Sequence, residues 1–547
     1  MLKNKNKLLL ILIVLLGVFL RFWQLDKIPV SLNWDEVSQG YNALSILKSG
    51  KDEWGKFLPL ANFRAYGDYP TTFYMYATIP FVYFFGLSEL TVRLPSAIFG
   101  SLLVLVTYYF CEYIFRKKSI SLAAAFFVAL SPWSLFLSRQ AIQATPATLL
   151  LSLGIFLFIK GTRQNNYLNV LGTIVLGLSA YAYHNTRIFS PLIFLILLLH
   201  YRKQLLPFLQ KTLLLLFISG IFFVPLFFVV LSPEGSARSA WVGIFDQGAI
   251  NDINSARGAS TLPPLLAKLA HNKLTYFVPK VLSNYFGYFS PKFLGQQGGT
   301  QYQFSVQGFG IINPLDLLLL YLGLVLLVVR YQRLDQDHRF LLYWLLLAPL
   351  PAAITRDPYQ VVRATTMLPV VYLVIAYGLS EVAGSLKSWS KNIKSVLEII
   401  FLITYLIWFG LYLRNWLFVY NNKYSQAWQY GYKQAITYVK ENYGNYEHVA
   451  FTKKYGEPHE FVLFFNAYDS ANYRNDQNLV RYGKSDWFWV DSFDKYLFIN
   501  DWEVKAKSAN FQSTLLITSP GNYDSHGKLL NTINFLNGTP AFDIVAY

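Results

Sequence analysis

The fold is decided by the first apolar stretch of the chain, LLLILIVLLGVFL at residues 8–20. Lys3, Lys5 and Lys7 precede it. Because no small-x-small cleavage motif follows, the stretch predicts a retained membrane helix at about residues 8–25, and not a cleaved signal peptide. The positive-inside rule then places the N-terminal lysines on the cytoplasmic side.

Composition agrees with a membrane protein. Of 547 residues, 54% are hydrophobic and 14% are charged, whereas an ordinary globular protein carries about 25% charged residues. The net charge of +17 does not predict a nucleic-acid partner, because the basic residues form small groups between apolar runs. The single cysteine, Cys111, excludes a disulfide framework and a CxxC metal site.

A membrane helix needs about 20 mostly apolar residues. Further runs that meet this need, loosely bounded, lie at 94–115, 119–137, 147–160, 166–184, 187–201, 212–231, 312–329, 340–355, 364–383 and 396–418. The segment 70–87 is ambiguous, because it is apolar but contains Pro70 and Pro80.

The basic clusters decide how the segment 70–87 is interpreted. If it does not cross, five clusters fall on the cytoplasmic side: Arg116-Lys117-Lys118, Lys160/Arg163, Arg202-Lys203, Arg330/Arg333/Arg339 and Lys387/Lys391/Lys394. If it crosses, all of them move outside. The rule therefore predicts an interfacial or re-entrant element and about eleven crossings. The external segments are then 26–93, 138–146, 185–186, 232–311, 356–363 and 419–547.

The predicted fold class is mainly α: a polytopic membrane helical bundle with interfacial juxtamembrane helices and a small C-terminal extracytoplasmic α/β domain. We predict a transmembrane catalytic domain at 1–418 and the α/β domain at 419–547. In the tail, 426–442 has amphipathic helical spacing, and 448–452 and 514–518 are typical of buried strands. Its many aromatic residues suit a carbohydrate, an interface or a structural cap.

The first external loop concentrates acidic residues, which membrane proteins avoid near lipid unless they function there. Among these acidic residues are Asp35, Glu36, Asp52, Glu53 and Asp68. One carboxylate can take a proton from an attacking hydroxyl. Others can position an acceptor or hold a divalent cation against a phosphate. The alternative is that Asp35 and Glu36 only cap a helix.

Later external segments supply candidate phosphate-binding groups: Arg139, His184, Arg187, Arg356 and Arg363. A guanidinium matches a lipid phosphate through its planar fork. The alternatives are a snorkelling Arg139, a structural His184 and an Arg356–Asp357 surface pair.

Carboxylates and cations on one side suit a substrate with a lipid tail, a phosphate and a sugar. The chain has no Walker motif, no GxGxxG fingerprint and no HExxH motif, so ATP-driven transport and zinc peptidase chemistry lack support. Glycosyl transfer from such a substrate is the main hypothesis, and two alternatives to it remain. One is a flippase or polymerase of lipid-linked saccharides, and the other is a non-catalytic envelope scaffold.

Several motifs resemble bacterial protein O-mannosyltransferase-like glycosyltransferases of the GT-C class, which includes the lipid A aminoarabinose transferases. The resemblance covers roughly 1–385. Its most specific motif is Ser31-Leu32-Asn33-Trp34-Asp35-Glu36-Val37-Ser38-Gln39-Gly40-Tyr41-Asn42-Ala43, and the others are Phe63-Arg64-Ala65-Tyr66-Gly67-Asp68-Tyr69-Pro70, Arg93-Leu94-Pro95-Ser96, Leu130-Ser131-Pro132-Trp133 with Ser138-Arg139, Tyr183-His184-Asn185-Thr186-Arg187, and Arg363 with Leu368-Pro369.

The resemblance implies a multi-pass enzyme of the plasma (inner) membrane with an external active site. It implies a polyprenyl-phosphate-linked sugar donor, a lipid, glycan or protein acceptor, and inversion in a single displacement. Asp35 is then the base, with Glu36 beside it in acceptor or metal binding. We predict that Glu36, Tyr41 and Asp68 of this loop bind substrate. Many relatives carry an acidic residue where this chain has Gln143, so no metal ligand is assigned there and Asp68 is the alternative.

Overall fold

The computed structural model describes residues 2–233, 235, 241–484 and 487–547, with side chains from residue 5 onward. Parts of the predicted external segment 232–311, at 234 and 236–240, lie outside the described residues. The chain forms two compact units. The helical unit comprises Met1–Arg21, Ile98–Ser138 and Gln143–Leu413. The sheet unit comprises Phe22–Ala97, Arg139–Ile142 and Arg414–Tyr547.

All the predicted crossing segments fall on helices. Three helices of the helical unit extend past its bounds. The helices are Leu2–Phe22, Glu89–Phe115, Lys118–Ala129, Pro132–Leu137, Ala144–Gln164, Leu168–Ala182, His184–His200, Arg202–Leu205, Leu209–Leu231, Gln247–Gly258, Pro264–Ala270, Lys273–Gly287, Pro314–Val329, Gln336–Leu347, Leu350–Ala353, Leu368–Ser385 and Lys391–Arg414. The predicted run 119–137 is two helices, because Ser131 caps a new helix with Pro132 in its first turn.

Five described helical stretches are long and apolar enough to cross a membrane: Glu89–Phe115, Ala144–Gln164, Arg202–Leu231, Arg363–Ser388 and Lys391–Lys423. The ambiguous segment 70–87 contains one helix, Phe73–Phe85, of 13 residues with Pro80 inside it. That is shorter than the roughly 20 residues that a straight crossing needs. The number of crossings and the orientation stay predictions.

Close helix packing in the helical unit depends on small residues. Helices Ala144–Gln164 and Leu168–Ala182 form a hairpin in which a Cβ on Gly161 would lie 2.0 Å from the Asn169 nitrogen. A Cβ on Gly172 would lie 2.4 Å from the Phe158 nitrogen. Glycine at both positions therefore lets the two backbones touch, as in other membrane helix pairs.

Several of the basic clusters predicted to share one side of the membrane are joined by polar contacts in the helical unit. The contacts are Lys117 Nζ to Ser380 Oγ at 2.9 Å, Arg163 Nη2 to Asp337 Oδ1 at 2.9 Å, and Arg330 Nη1 to Glu381 Oε2 at 2.5 Å. These clusters therefore lie together, as a common side requires.

The sheet unit contains a seven-stranded mixed sheet of order β2-β3-β4-β1-β5-β7-β6. Its strands are β1 His448–Thr452, β2 Val480–Lys484, β3 Trp487–Phe493, β4 Tyr496–Ile499, β5 Thr514–Thr518, β6 Lys528–Asn534 and β7 Pro540–Ala546. Strand β1 pairs in parallel with β4 and β5, and the other pairs are antiparallel. Its helices are Trp34–Ser49, Phe73–Phe85, Asn421–Lys423, Tyr432–Glu441, Pro458–Phe465, Ser470–Asn475 and Val504–Ser508.

The first loop and the tail share one hydrophobic core in the sheet unit. Val37 and Tyr41 from helix Trp34–Ser49, called here the first-loop helix, join Phe451 and Phe461 of the tail in this core. A Cβ on Gly40 would lie 2.6 Å from Phe464 Cε2, so the two helices meet closely there. The structure thus groups 22–97 with the tail, whereas the sequence analysis placed 26–93 in the transmembrane domain. The predicted domain boundary at 418/419 stays a prediction.

Both predicted tail strands are confirmed, at His448–Thr452 and Thr514–Thr518. The predicted helix at 426–442 was too long, since it begins at Tyr432. Gln429 and Gly431 adopt left-handed backbone conformations, with φ of 53° and 112°, which a right-handed helix cannot include. Trp428 lies before this break and is nevertheless buried.

Candidate functional site

The first-loop helix begins with a capping box. The Asn33 side chain accepts from the Glu36 nitrogen at 3.0 Å, and the Glu36 carboxylate accepts from the Asn33 nitrogen at 3.2 Å. This reciprocal pair fixes the first helical turn. Asp35 lies inside that turn with its side chain exposed. The capping alternative therefore describes Glu36, while Asp35 takes no part in the box.

Glu36 is also held by a buried ion pair. Arg93 Nε and Nη2 donate to its two carboxylate oxygens at 2.9 and 3.0 Å, and the side chains are 0% and 2% exposed. The Ala141 nitrogen donates to the same carboxylate at 2.9 Å. Arg93 also donates to backbone carbonyls, including that of Ser31 at 2.6 Å. Glu36 thus anchors the helix start, and its predicted role in substrate binding stays a prediction.

Asp35 has a specific partner in the same loop. The Tyr66 hydroxyl donates a short hydrogen bond to Asp35 Oδ1. Tyr66 lies in a tight turn in which the Ala65 nitrogen donates to the Asp68 carbonyl at 3.0 Å. Burial, and then the nearby Asp35 charge, raise the pKa of Tyr66 well above its usual value. The phenol therefore stays protonated and continues to donate.

Aromatic rings surround this hydrogen bond. The Tyr66 ring lies 5.6 Å from the Trp34 ring and 5.5 Å from the Trp487 ring, measured between centroids. Both tryptophans are partly exposed. A Cβ on Gly67 would lie 2.2 Å from the Trp487 ring, so only glycine lets the turn lie this close. We call Trp34, Tyr66 and Trp487 the aromatic wall.

A polar contact ties the aromatic wall to the start of helix Pro458–Phe465. Trp487 Nε1 donates to Glu457 Oε1 at 2.6 Å. Burial raises the pKa of Glu457 to about 7. The sequence analysis gave no role to Tyr66, Trp487 or Glu457. The Trp487-Phe488-Trp489 run was a visible signal, but its nearness to Asp35 depends on the tertiary fold.

The other predicted residues of the sheet unit have mainly internal partners. Tyr41 is buried, and its hydroxyl donates to the Tyr468 carbonyl at 3.2 Å. Asp68 is half-buried and accepts from the Tyr69 nitrogen at 2.8 Å. Asp68 lies in the same turn as Tyr66, which is the hydrogen-bond partner of Asp35. The substrate-binding roles of Tyr41 and Asp68 stay predictions.

Arg139 is buried and holds the backbone that precedes the first-loop helix. Its Nη2 donates to the carbonyls of Trp23, Gln24 and Ile28 at 2.7, 3.1 and 3.0 Å. Its guanidinium lies 5.5 Å from the centroid of the Trp416 ring. The snorkelling alternative does not describe a residue this buried. Phosphate binding by Arg139 stays a prediction.

The remaining predicted cations belong to the helical unit. His184 begins helix His184–His200, and the neighbouring Asn185 side chain donates a short hydrogen bond to the Arg363 carbonyl. Arg187 is buried, and its Nε donates to the Ala180 carbonyl at 3.3 Å. The structure therefore brings the segments of His184 and Arg363 together.

Arg356 and Arg363 are linked through one carboxylate. Asp357 lies 3.2 Å from Arg356 Nε and 3.7 Å from Arg363 Nη1. Arg356 also pairs with Asp246 at 3.1 Å. The Arg356–Asp357 pair that the sequence analysis gave as the alternative to phosphate binding is present. It belongs to a larger group of two arginines and two aspartates. Binding of a phosphate by either arginine stays a prediction.

The described residues contain no group of three or more His, Cys, Asp or Glu side chains suited to a metal ion. Glu36, the carboxylate next to Asp35 in sequence, is bound by Arg93. The residues present therefore do not fit a carboxylate metal site at the first-loop helix.

Comparison with known proteins gives one family match and several similar solved structures. Residues 11–233 match the family model of dolichyl-phosphate-mannose-protein mannosyltransferases. The structure of ArnT from Cupriavidus metallidurans bound to undecaprenyl phosphate has a TM-score of 0.53 at 12% identity, covering 98% of this chain and 97% of that one. The chain has the fold of this GT-C glycosyltransferase, and residues 11–233 resemble the mannosyltransferase family. The predicted resemblance is thereby confirmed, and ArnT shares the combination of a helical part with a C-terminal sheet domain.

A second GT-C structure is similar over part of its length. The Archaeoglobus fulgidus oligosaccharyltransferase tethered to an acceptor peptide has a TM-score of 0.50 at 14% identity. The match covers 85% of this chain and 63% of that chain, so the present chain spans less than two thirds of the length of the archaeal enzyme. No curated protein sequence matches the chain.

Proposed function

We propose that the protein transfers a sugar from a polyprenyl-phosphate-linked donor to an acceptor hydroxyl at the external membrane face, with Asp35 as general base. One observation carries this proposal: an exposed carboxylate at a rigid helix start, oriented by the Tyr66 hydroxyl. Rigid placement of a catalytic group is a main source of rate acceleration. The buried Glu36–Arg93 pair beneath it supplies that rigidity.

The proposed reaction is a single displacement with inversion. The acceptor oxygen attacks the anomeric carbon, and its proton passes to the Asp35 carboxylate. The bond between the anomeric carbon and the phosphate oxygen breaks, and its electron pair leaves with the polyprenyl phosphate. Arg187, Arg356 and Arg363 are the proposed cations that stabilise this leaving group. The complex of ArnT with undecaprenyl phosphate supports a lipid phosphate of this kind.

The aromatic wall favours an acceptor that carries a sugar ring. Trp34 and Trp487 offer partly exposed flat rings beside the partner of Asp35. Aromatic rings with a polar handle suit ligands that have both apolar faces and hydroxyl groups. Among lipid, glycan and protein acceptors, we therefore favour a glycan or a glycolipid.

The proposed location is the plasma (inner) membrane, with the N-terminus cytoplasmic and residues 419–547 outside. The basic clusters that meet in the helical unit support this arrangement. Labelling with an impermeant reagent at a cysteine placed at 118 or 440 tests it. External labelling at 440 only is the expected result, and cytoplasmic labelling at 440 would overturn the orientation.

A purified-protein assay tests the function. The full chain in lipid nanodiscs is given a radiolabelled polyprenyl-phosphate sugar and candidate glycolipid or glycan acceptors. The proposal expects release of polyprenyl phosphate together with labelled acceptor. Movement of intact donor across a vesicle membrane, without release of polyprenyl phosphate, would instead identify a flippase.

A further inference from the structure

A cavity of ≈ 610 Å³ lies in the helical unit where helix His184–His200 ends and helix Gln336–Leu347 begins. The two helix ends are tied together across it. His200 Nε2 forms a 2.7 Å hydrogen bond with the Gln336 carbonyl, and Gln204 Nε2 donates to Gln336 Oε1 at 2.6 Å. The cavity is therefore formed before any ligand arrives, and its volume is in the range of small-molecule sites.

The cavity is strongly basic. Arg202, Lys203 and Arg339 line it, and no acidic side chain does among the residues that the structure describes there. The two nearest aspartates in sequence are engaged elsewhere: Asp335 with His338 at 2.7 Å, and Asp337 with Arg163 at 2.9 Å. A ligand in this cavity therefore meets three cationic side chains and, among the described residues, no carboxylate in its lining.

Arg339 is held in a fixed orientation at the cavity wall. Its Nε donates to the Tyr331 carbonyl at 3.1 Å, and its Nη2 donates to the Gln332 carbonyl at 2.9 Å. The guanidinium also lies 5.2 Å from the centroid of the Tyr331 ring. The Tyr331 and Tyr343 hydroxyls, which share a short hydrogen bond, line the same cavity. An immobilised guanidinium beside hydroxyl groups is suited to a phosphate ester.

The cavity has an apolar side as well. Ile196 and Leu199 line it from helix His184–His200. Leu199 is 53% exposed, and Leu195 on the same helix is 51% exposed. On an apolar helix of a membrane protein, such side chains are positioned to contact acyl chains. A ligand with an anionic head and a hydrocarbon tail would satisfy both parts of the cavity.

We propose that this cavity binds the phosphate headgroup of an anionic phospholipid. Arg202 and Arg339 belong to two basic clusters that the sequence analysis assigned to the cytoplasmic side, so the lipid belongs to that leaflet. Basic pockets between membrane helices at this level are known to hold such headgroups. The site is separate from the Asp35 chemistry, and its test does not depend on glycosyl transfer.

Native mass spectrometry of the purified full-length protein measures this binding. The probes are phosphatidylglycerol, phosphatidylcholine with the same acyl chains, and water-soluble glycerol phosphate. We expect phosphatidylglycerol to bind more tightly than both other probes. Because each basic residue near an anionic lipid contributes about fivefold in affinity, the double variant Arg202→Ala/Lys203→Ala should weaken phosphatidylglycerol binding roughly 25-fold.

The matched control is Lys387→Ala/Lys391→Ala, which also removes two exposed cations from the predicted cytoplasmic side but does not touch the cavity. It should leave the affinity within about twofold. A second variant, Arg339→Lys, keeps the charge, loses the fork and should weaken binding.

Three results would overturn the proposal: equal losses in the cavity and control variants, equal binding of phosphatidylcholine, or no loss in either cavity variant. Binding of glycerol phosphate as tight as that of phosphatidylglycerol would assign the cavity to a soluble phosphate ester instead of a lipid. Circular dichroism melting of each variant confirms that the compared proteins are folded.

Discussion

The Tyr66 hydroxyl donates a short hydrogen bond to the Asp35 carboxylate, although 31 residues separate the two in sequence. Asp35 is exposed at the start of the first-loop helix, whereas Tyr66 is buried between two tryptophans. The contact joins an exposed carboxylate to a rigid, buried donor. Tyr66 is therefore a positioning residue for the proposed base.

Replacing Tyr66 with Phe tests this positioning role. The ring and its packing stay, while the hydrogen bond to a charged oxygen is lost. Such bonds contribute about 1.5–3 kcal/mol, so we expect kcat to fall by roughly 10–150-fold with little change in melting temperature. Tyr69→Phe, in the same turn, is the control and should keep near wild-type kcat. Unchanged kcat in Tyr66→Phe would remove the positioning role.

The Glu36–Arg93 pair should be a major source of stability in the sheet unit. Removing one partner of a buried ion pair leaves an uncompensated charge and typically costs about 3–5 kcal/mol. We therefore expect Arg93→Ala to lower the thermal midpoint of the purified protein strongly. The control is Lys433→Ala, which breaks the Lys433–Glu89 pair, whose lysine is exposed. This change should cost about 1 kcal/mol or less. Equal effects of the two variants would contradict the account.

The stability of the sheet unit should depend on the protonation of Glu457. Burial raises its pKa from 4.5 to about 7, although the hydrogen bond from Trp487 and then the charge of Lys453 oppose the shift. Because the folded pKa is raised, the folded state retains a proton that the unfolded state releases above pH 4.5. Stability should therefore fall as pH rises from about 4.5 to about 7, by roughly 2–3 kcal/mol from this group.

Glu457→Gln tests this assignment, because its side-chain oxygen can still accept from Trp487 Nε1. Thermal midpoints are measured from pH 5 to pH 8. The variant should gain stability relative to wild type as pH rises. A parallel pH dependence in both proteins would contradict the assignment. His459, which contacts Glu457, contributes with the opposite sign, since burial lowers its pKa from 6.5 to about 3 and its contribution to stability rises with pH up to about 6.5. Because both proteins contain His459, the comparison with Glu457→Gln isolates the contribution of Glu457.

The aromatic wall should act mainly on the acceptor. Trp487→Ala removes a partly exposed ring, and aromatic stacking is worth about 0.5–1.5 kcal/mol. The acceptor KM should therefore rise roughly 2–13-fold, while the donor KM changes little. Trp502→Ala is the control, because Trp502 is 79% exposed on the surface of the sheet unit. A rise in donor KM alone would contradict the acceptor role. Trp487→Phe should restore part of the affinity.

Local patterns predicted much of the fold, and long-range contacts account for what they missed. The strand at His448–Thr452 was readable from its own residues, as were the apolar helices. The helix predicted from 426 begins at Tyr432, because the left-handed Gly431 outweighs a continuous amphipathic pattern. Trp428, which lies before this break, is still buried.

At the site, the first-loop motif singled out Asp35 and Glu36 but could not separate their roles. The separation comes from Arg93, which lies 57 residues from Glu36 and binds it in the interior. Similarly, Tyr66 and Trp487 become neighbours only when the loop and β3 fold together. No spacing rule within one segment contains that information.

The central claim is that Asp35 is the base. Its most direct test is the single-turnover rate at which the purified Asp35→Asn variant releases polyprenyl phosphate from the donor. The control is Asp26→Asn, an exposed aspartate of the same loop. The account predicts a rate lower by about 10²–10⁴-fold in Asp35→Asn, with unchanged melting temperature and near wild-type rates in the control. A near wild-type rate in Asp35→Asn would contradict it.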